Sequence, residues 1–246
     1  MKLLLLGTSG YHPCERRQTA CLMLPQAGIV LDAGTGFFRV RQHLATPTLD
    51  ILLSHTHLDH SVGLTFVLST RYQKTLDRIT VHAAPEKLAA CRDHLLNDHL
   101  FPAPLPCHWQ PLPAGPFSIG DARVTHFPLV HPGGSMGYRL DWPGHSMAYV
   151  TDTTAAPDAD YVQHLHGVDL LVHECNFRDE QHEWAVKTGH SSTTPVAQVA
   201  AKAGARRLVL VHLDPLEESD DPVNIAVARR VFPRTEIGYD GMEIDF

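Results

Sequence analysis

The stretch Ser54-His55-Thr56-His57-Leu58-Asp59-His60 places three imidazoles and one carboxylate within six residues, directly after an apolar run that ends at Leu53. His55 and His57 lie two residues apart, so in an extended segment both side chains point to the same side. Helical spacing begins near Asp59 and His60, so a turn can bring this second pair to the opposite side of a small cavity. The stretch therefore predicts a strand that ends in a site for two metal ions.

Neutral imidazole and carboxylate ligands suit zinc or manganese, and iron as a further option. Two such ions about 3.5–4 Å apart can hold a bridging hydroxide and clamp a substrate oxygen. The alternative interpretation is a histidine-rich surface loop, because the chain has 18 histidines. A solvated loop needs no buried strand in front of it, so the metal site is the favoured interpretation.

The composition indicates a folded protein without a general polyanion-binding surface. A chain of 246 residues with 43% hydrophobic residues can bury a substantial core, in one large domain or two half-size ones. The net charge of -7 and the 20 Lys and Arg residues argue against extensive nucleic-acid binding. The five cysteines include no Cys-x-x-Cys pair, which argues against a disulfide framework or a zinc knuckle. We therefore expect a reducing, cytoplasmic location.

The N-terminus superficially resembles the start of a signal peptide. Its apolar run stops at Gly7, however, and no small-residue cleavage site follows an adequate hydrophobic region. No stretch approaches the roughly 18 apolar residues that a membrane-spanning helix requires. We therefore expect a first β-strand here and a soluble protein that does not contact a membrane.

Four more ligand-type side chains follow apolar runs that read as strands. His131 follows the alternating segment Ala122–Val130, Asp152 follows Ser146–Thr151, and His212 follows Arg207–Val211. Each alone could be structural, but together they indicate a shared site, because α/β folds build sites at strand ends. Asp32, after a further short strand, could either fix a metal-binding histidine or cap a helix. A helix with Pro195 at its first position and a final hairpin over Glu236–Ile244 complete the predicted elements.

These residues resemble the metallo-β-lactamase fold superfamily, whose signature His-x-His-x-Asp-His is matched by His55, His57, Asp59 and His60. The resemblance covers essentially the whole chain and implies one hydrolase domain over residues 1–246. The implied fold is an α/β four-layer αββα sandwich with a dinuclear site along one edge. The resemblance implies that the first metal is held by His55, His57 and His131, the second by Asp59, His60 and His212, and that Asp152 bridges them.

Two further segments are similar to the ribonuclease Z group within that superfamily. His173-Glu174-Cys175-Asn176-Phe177 looks like that group's His-Glu-Ala-Thr-Phe, and Gly189-His190-Ser191-Ser192 like its Gly-His-Ser-Thr. Phosphodiester cleavage releases an alkoxide, which a histidine held by a carboxylate can protonate. His190 is therefore the candidate acid and Glu174 its orienting carboxylate, although His190 could instead bond local backbone at a helix start. Asp59 could also accept a proton from the attacking water.

The resemblance departs from ribonuclease Z at the device that holds transfer RNA. In the bacterial enzymes a long basic arm falls between the third histidine motif and the bridging aspartate. Here 20 residues separate His131 from Asp152, with Arg139 as their only Lys or Arg. The short spacing and the ending Gly238–Ile244 look more like the phosphodiesterase of the carbon–phosphorus lyase pathway. That group's N-terminal cysteine-rich zinc site is not matched, because Cys14 and Cys21 lack the necessary neighbours.

The sequence therefore predicts a dinuclear metal-dependent phosphodiesterase that hydrolyses a small phosphodiester, cyclic or linear, through a metal-bound hydroxide. The first alternative is ribonuclease Z-like RNA 3′-end processing, and the second is a thioesterase or lactonase. A flavo-diiron redox role is disfavoured, because those proteins carry Glu at the position of His57. A non-catalytic module is disfavoured because every expected ligand is present. Relatives are often dimers, so a homodimer is a further expectation.

Overall fold

The computed structural model describes residues 1–71, 76–217 and 219–246, which contain two mixed β-sheets of seven strands each. In chain order the strands are β1 Lys2–Gly7, β2 Cys21–Leu24, β3 Ile29–Leu31, β4 Thr48–Leu52, β5 Arg78–Ala83, β6 His108–Pro111, β7 Phe117–Ile119, β8 Ala122–Leu129, β9 Ser135–Trp142, β10 His145–Val150, β11 Leu170–Glu174, β12 Leu208–Val211, β13 Thr235–Ile237 and β14 Glu243–Asp245. The first sheet has the order β14-β1-β2-β3-β4-β5-β6, and the second β13-β12-β11-β10-β9-β8-β7.

Short helices cover the outer face of each sheet. The α-helices are α1 Val40–His43, α2 Leu58–Ser61, α3 Val67–Arg71, α4 Pro85–Ala90, α5 His182–Thr188, α6 Thr193–Ala203 and α7 Ile225–Val231. Turns of 3-10 helix occupy Thr35–Arg39, Val62–Phe66, Asp160–Leu165 and Asp179–Gln181, and a π-helical turn occupies Cys91–Leu95. The four layers confirm the predicted α/β sandwich of αββα type.

Strands that are apolar on both faces produce this layering. In β1, Leu3 and Leu5 pack into the core between the two sheets, whereas Leu4 and Leu6 pack under the helices of the first sheet. In β11, Leu170 and Val172 face the first sheet, and Leu171 packs against helices on the other side. Because successive side chains of a strand point to opposite faces, such runs fit only sheets that are covered on both sides.

The parallel part of each sheet places one set of strand ends at a common edge. Strands β3 to β6 are parallel in the first sheet, and β10 to β13 are parallel in the second. Strand β8 runs in the same direction as β10, because both are antiparallel to β9. Tyr138 Oη donates to the Leu53 carbonyl at 2.6 Å, and the Met136 N–H donates to the Ser54 carbonyl at 3.0 Å. These bonds fix the ligand-bearing loop of the first sheet to the second sheet.

Two predicted elements are wrong in detail. The final hairpin does not form: β13 pairs with β12 in the second sheet, and β14 pairs with β1 in the first. The helix predicted to begin with Pro195 instead begins at Thr193, after Ser192 in extended conformation. Pro195 is thus still in the first turn, where its missing N–H costs no hydrogen bond.

The segment between His131 and Asp152 forms strands and contains no arm. Strands β9 and β10 occupy most of it, and Pro143 and Gly144 join them in a tight turn.

Within the described ranges, no helix combines the length and apolar character needed to cross a bilayer.

Candidate metal centre

All seven predicted metal ligands meet at the common edge of the two sheets. Those of the first sheet follow β4, with His55 and His57 on the loop before α2 and Asp59 and His60 within α2. Those of the second sheet follow three strands that run in the same direction, with His131 after β8, Asp152 after β10 and His212 after β12. Their donor atoms form two groups within which the atoms lie no more than 4.8 Å apart, namely His55, His57, His131 and Asp152 in one and Asp59, His60, His212 and Asp152 in the other.

The first group converges on one oxygen of Asp152. Asp152 Oδ2 lies 3.5 Å from Nε2 of His55 and 3.5 Å from Nε2 of His131. His131 Nε2 in turn lies 3.3 Å from Nδ1 of His57. His57 is exposed, so this group opens to solvent on one side.

The second group converges on the other oxygen of the same carboxylate. Asp152 Oδ1 lies 3.2 Å from Nε2 of both His60 and His212. Asp59 Oδ2 lies 3.3 Å from each of those two nitrogens, which are 3.1 Å apart. Asp152 thus faces one group with each oxygen, which is the arrangement a bridging carboxylate requires.

These distances fit a pair of divalent cations. In a tetrahedral zinc site with bonds of about 2.0–2.1 Å, neighbouring ligand atoms lie roughly 3.3 Å apart. His55 is fully buried, and among the described residues its Nε2 finds no hydrogen-bond partner. Buried polar atoms almost always have a partner. The Nε2 atom of His55 thus lies among three other candidate donor atoms without a hydrogen bond, as expected for a metal ligand.

The charges of the site also favour cations. Burial lowers the pKa of His55, so its imidazole is neutral, which is the form that binds a metal. Burial acts in the same direction on His60, but Asp152, Asp59 and Asp32 outweigh it and raise its pKa well above the usual value. Three carboxylates around one imidazole concentrate negative charge that bound cations would compensate.

Asp32 contacts the His60 ring on the side away from the candidate metal centre. The buried carboxylate lies 2.9 Å from Nδ1 of His60, which leaves Nε2 of that ring free for the site. It also accepts hydrogen bonds from the Ser54 hydroxyl and N–H and from Tyr149 Oη at 2.7 to 2.8 Å. Asp32 thus contacts a metal-binding candidate, His60, as the first of its two interpretations predicts. The second interpretation, a helix cap, does not apply, because the cap position of the 3-10 turn Thr35–Arg39 is Gly34. Such outer partners fix the orientation of a ligand.

Three of these side chains come from backbone in the left-handed region. The φ angles are +59° for Asp32, +45° for Asp152 and +55° for His212. A non-glycine residue in this region costs about 1–3 kcal/mol and persists only where the surroundings enforce it. Each lies within two residues of the end of a strand, so the strained residue turns its side chain from the sheet into the site.

His212 is enclosed by Asn176 and Gly10, neither of which the sequence singled out for this role. Asn176 Nδ2 donates to the His212 carbonyl at 2.9 Å. A Cβ atom on Gly10 would lie 2.6 Å from Nδ1 and Cε1 of the His212 ring. The loop after β1 thus packs against the ring of a candidate ligand.

Replacing Gly10 with alanine is therefore expected to displace the His212 ring and lower metal affinity about 10–100-fold, as for other outer-shell changes. Metal titration followed by elemental analysis measures the loss. Gly115→Ala is the matched control, because a Cβ at Gly115 meets no atom within 4 Å. Equal metal affinity of the two variants would show that this close approach does not position His212.

His190 and Glu174 form a pair next to the second group. His190 Nδ1 lies 3.3 Å from Oε1 of the fully buried Glu174. Glu174 also accepts the N–H groups of Thr153, Asn176 and Ser191. Burial lowers the pKa of His190, but Glu174 outweighs it and raises the pKa to about 9. The partly exposed imidazole is thus held in its proton-donating form.

The His190–Glu174 pair lies directly beside the second candidate ligand group. The His190 ring stacks on His212 with centroids 5.2 Å apart, and donor atoms of Glu174, His190 and His212 lie within 4.8 Å of one another. The alternative of a histidine bonded only to local backbone does not describe this contact. A group bound at the cations would therefore lie beside a proton donor.

The chain is similar to known proteins over most of its length. The family model of the beta-lactamase superfamily domain matches residues 28–213. Among curated proteins, ribonuclease Z from Acaryochloris marina is 28% identical to this chain, over 98% of this chain and 96% of its own length.

Two solved structures share the fold across the whole chain. The metallo-beta-lactamase fold protein YhfI from Bacillus subtilis aligns with a TM-score of 0.83 at 20% identity, covering 99% of each chain. A diphosphatase from the PhnP family aligns with a TM-score of 0.74 at 22% identity, covering 100% of this chain and 96% of its own. Because the family model spans more than half of the chain, the protein belongs to the beta-lactamase superfamily domain family, the class of metal-dependent hydrolases that its histidine-rich signature predicts.

Proposed function

We propose that this chain is a dinuclear metal-dependent phosphodiesterase that hydrolyses a small phosphodiester, cyclic or linear, and that residues 1–246 form one catalytic domain. The two divalent ions, zinc or manganese in the first instance, would be held by His55, His57, His131 and Asp152 and by Asp59, His60, His212 and Asp152. Bound there, they would lower the pKa of a water molecule and neutralise charge on the phosphoryl oxygens.

The residues around the cradle supply the proton transfers. His190 donates a proton to the leaving alkoxide, and Glu174 holds its Nδ1 so that Nε2 faces the substrate. Asp59 accepts a proton from the attacking water. The N–H of Tyr11 donates to Oδ2 of Asp59 at 2.9 Å and fixes the orientation of that carboxylate.

The His190–Glu174 pair is the observation that carries the proposal. An alkoxide is a poor leaving group, so its departure gains about 10²–10⁴-fold from a positioned acid. A fully buried carboxylate that accepts three backbone N–H groups and still faces an imidazole is a rigid support for such an acid. The similarity to a ribonuclease Z and to a PhnP-family diphosphatase supports phosphoester chemistry.

A small substrate is favoured over transfer RNA by the surface around the site. Strands β9 and β10 fill the segment in which a basic arm would lie. The net charge of -7 gives no general attraction for a polyanion. RNA 3′-end processing is the second candidate, because the ribonuclease Z of Acaryochloris marina is similar over 98% of the chain.

An activity panel with metal-reconstituted protein tests the proposal. The substrates are bis(4-nitrophenyl) phosphate, uridine 2′,3′-cyclic phosphate, a precursor transfer RNA, an acyl thioester and a lactone, each with zinc, manganese and iron. We expect the two small diesters to have the highest kcat/KM. Faster cleavage of the precursor RNA would establish the second candidate, and preference for the thioester or lactone would overturn both.

A further inference from the structure

A second cleft opens between the two sheets, at the end of the sandwich opposite the candidate metal centre. It has a volume of about 650 Å³ and is lined by residues of β4, β5 and β6 and by the turn between β7 and β8. Thr48, one of its lining residues, precedes His55 by seven residues of largely extended chain, which corresponds to roughly 20 Å. The cleft is therefore separate from the candidate metal centre, and its volume suits a small molecule.

The sheet face that lines this cleft is polar, although the strands that form it are parallel. The odd-numbered residues of β5 belong to the apolar core under the helices, whereas its even-numbered residues line the cleft, namely Arg78, Thr80 and His82. Asp50 of β4 pairs in register with Thr80 and continues this face. Parallel strands are ordinarily apolar on both faces, because both faces are buried. The polar face therefore favours contact with a polar ligand rather than packing against the second sheet.

Asp50 and His82 form a buried pair on this wall of the cleft. Nε2 of His82 lies 2.8 Å from Oδ1 of Asp50, and the two residues are only 6% and 4% exposed. The other ring nitrogen, Nδ1, has no hydrogen-bond partner among the described residues. The other oxygen, Oδ2 of Asp50, lies 3.9 Å from Nη2 of Arg78, which is too far for a hydrogen bond. Because buried polar atoms almost always have a partner, the pair is incomplete without a further polar group.

The charges around the cleft favour a neutral ligand. The carboxylates of Asp50 and Asp121 would repel an anion, and the guanidinium of Arg78 would repel a simple cation. The other polar lining residues include hydroxyl and amide side chains, which both donate and accept hydrogen bonds, namely Thr48, Thr80, Gln110 and Ser118. A ligand hydroxyl has the same dual capacity, so it can donate to a carboxylate and accept from a guanidinium.

We propose that this cleft binds a neutral polyhydroxylated ligand, a pentose or hexose ring, at a site separate from the metal centre. One ring hydroxyl donates to Oδ2 of Asp50 and an adjacent hydroxyl accepts from Arg78, which fits two partners 3.9 Å apart. Trp142, on the second sheet, supplies an apolar surface for the C–H face of the ring. The inference does not depend on the proposed function, because it involves neither the candidate metal ligands nor the His190–Glu174 pair.

Heteronuclear NMR of the isotope-labelled, metal-loaded protein tests the inference, because Trp142 is the one of the chain's three tryptophans that lines the cleft. Its indole N–H signal is assigned as the one absent from Trp142→Phe. Adding D-ribose or D-glucose is expected to shift this signal and leave those of Trp109 and Trp184 in place, with a dissociation constant of about 1 mM. D-Glucuronate and D-glucosamine, charged counterparts of glucose, should bind about tenfold more weakly, because each meets a like charge.

Arg78→Gln is expected to weaken binding of the neutral sugars about tenfold, the scale of one charge-assisted hydrogen bond. The Arg78 side chain is 53% exposed, so the fold should tolerate this change. The matched control is Arg123→Gln, which should leave the affinity as in the wild type. Arg123 lies on β8 between Ala122 and Val124, which pack into the core between the sheets, so its own side chain points away from that core.

The titrations distinguish the proposed site from its alternatives. An unchanged Trp142 signal at sugar concentrations far above the expected constant would overturn the inference. Tighter binding of glucuronate or glucosamine than of glucose would overturn the assignment of a neutral ligand. Equal sugar affinity of Arg78→Gln and the wild type would show that the sugar does not engage this wall of the cleft, and would also overturn it. Tighter binding of uridine than of ribose, lost in Arg78→Gln, would support the site and assign the sugar to a nucleoside.

Discussion

Replacing Asp152 with asparagine is expected to lower turnover of the small diesters by about 10³-fold or more. Asp152 faces one candidate ligand group with Oδ1 and the other with Oδ2, so it would help to hold both ions, and an amide retains only one oxygen. Each lost ion removes several kcal/mol of transition-state stabilisation, and about 4 kcal/mol corresponds to roughly a thousandfold in rate. Steady-state kinetics combined with metal content per chain measures both losses.

Thermal unfolding provides a readout of the same change that does not depend on turnover. A metal present at 1,000 times its dissociation constant stabilises a folded protein by about 4 kcal/mol. Adding metal should therefore raise the Tm of the wild type and of Asp121→Asn, an exposed aspartate on the β7–β8 turn, but raise that of Asp152→Asn much less. An Asp152→Asn protein that keeps two ions per chain and a tenth of the activity would refute the bridging role.

The convergence of the ligands could be predicted because each one is marked locally. His55, His131, Asp152 and His212 each follow a strand that is recognisable from its own residues. The ends of strands that run in one direction meet at one edge, so the sequence order of strands and ligands already implies a common site. His190 and Glu174 were recognised from short segments of similar sequence, and their contact fits that assignment.

The supporting residues could not be predicted, because their contacts depend on how the two sheets pack. Tyr149 reads as an ordinary core residue of β10, yet its hydroxyl donates to Asp32, a residue of the other sheet. Lys87 reads as a surface helix residue, and only the position of the Gly133 loop places it near His57. No local pattern records contacts between segments so far apart in the chain.

The predicted hairpin over Glu236–Ile244 is wrong for the same reason, because contacts with distant strands decide where β13 and β14 pair. Strands β13 and β14 are separated by a short glycine-containing segment, which is the usual signal for a hairpin. In the structure this segment crosses from one sheet to the other: the Gly238 N–H donates to Leu210, and the Gly241 N–H donates to Leu5. Each strand thus completes the edge of a different sheet, and hydrogen bonds to distant strands outweigh the local turn preference.

Replacing His190 with alanine is expected to slow hydrolysis of uridine 2′,3′-cyclic phosphate by about 10²–10⁴-fold, the usual contribution of a positioned acid. The loss should be much smaller for bis(4-nitrophenyl) phosphate, because nitrophenolate departs without protonation. A larger loss of kcat/KM for the cyclic phosphate than for the nitrophenyl diester would therefore indicate proton donation. A role in binding metal or supporting the fold would lower kcat/KM equally for both substrates. His182→Ala is the control, since His182 lies on α5 and contacts only Ser192 among the described hydrogen-bond partners.

Replacing His190 should disturb the fold less than replacing Glu174. Glu174 accepts backbone N–H groups of three other residues, so its replacement would leave buried donors unpaired and disturb the fold. His190 is partly exposed, and its ring packs on His131 and His212. Equal losses for both substrates in His190→Ala would therefore indicate that the ring supports these ligands, and the proposed proton donor would have to be sought elsewhere.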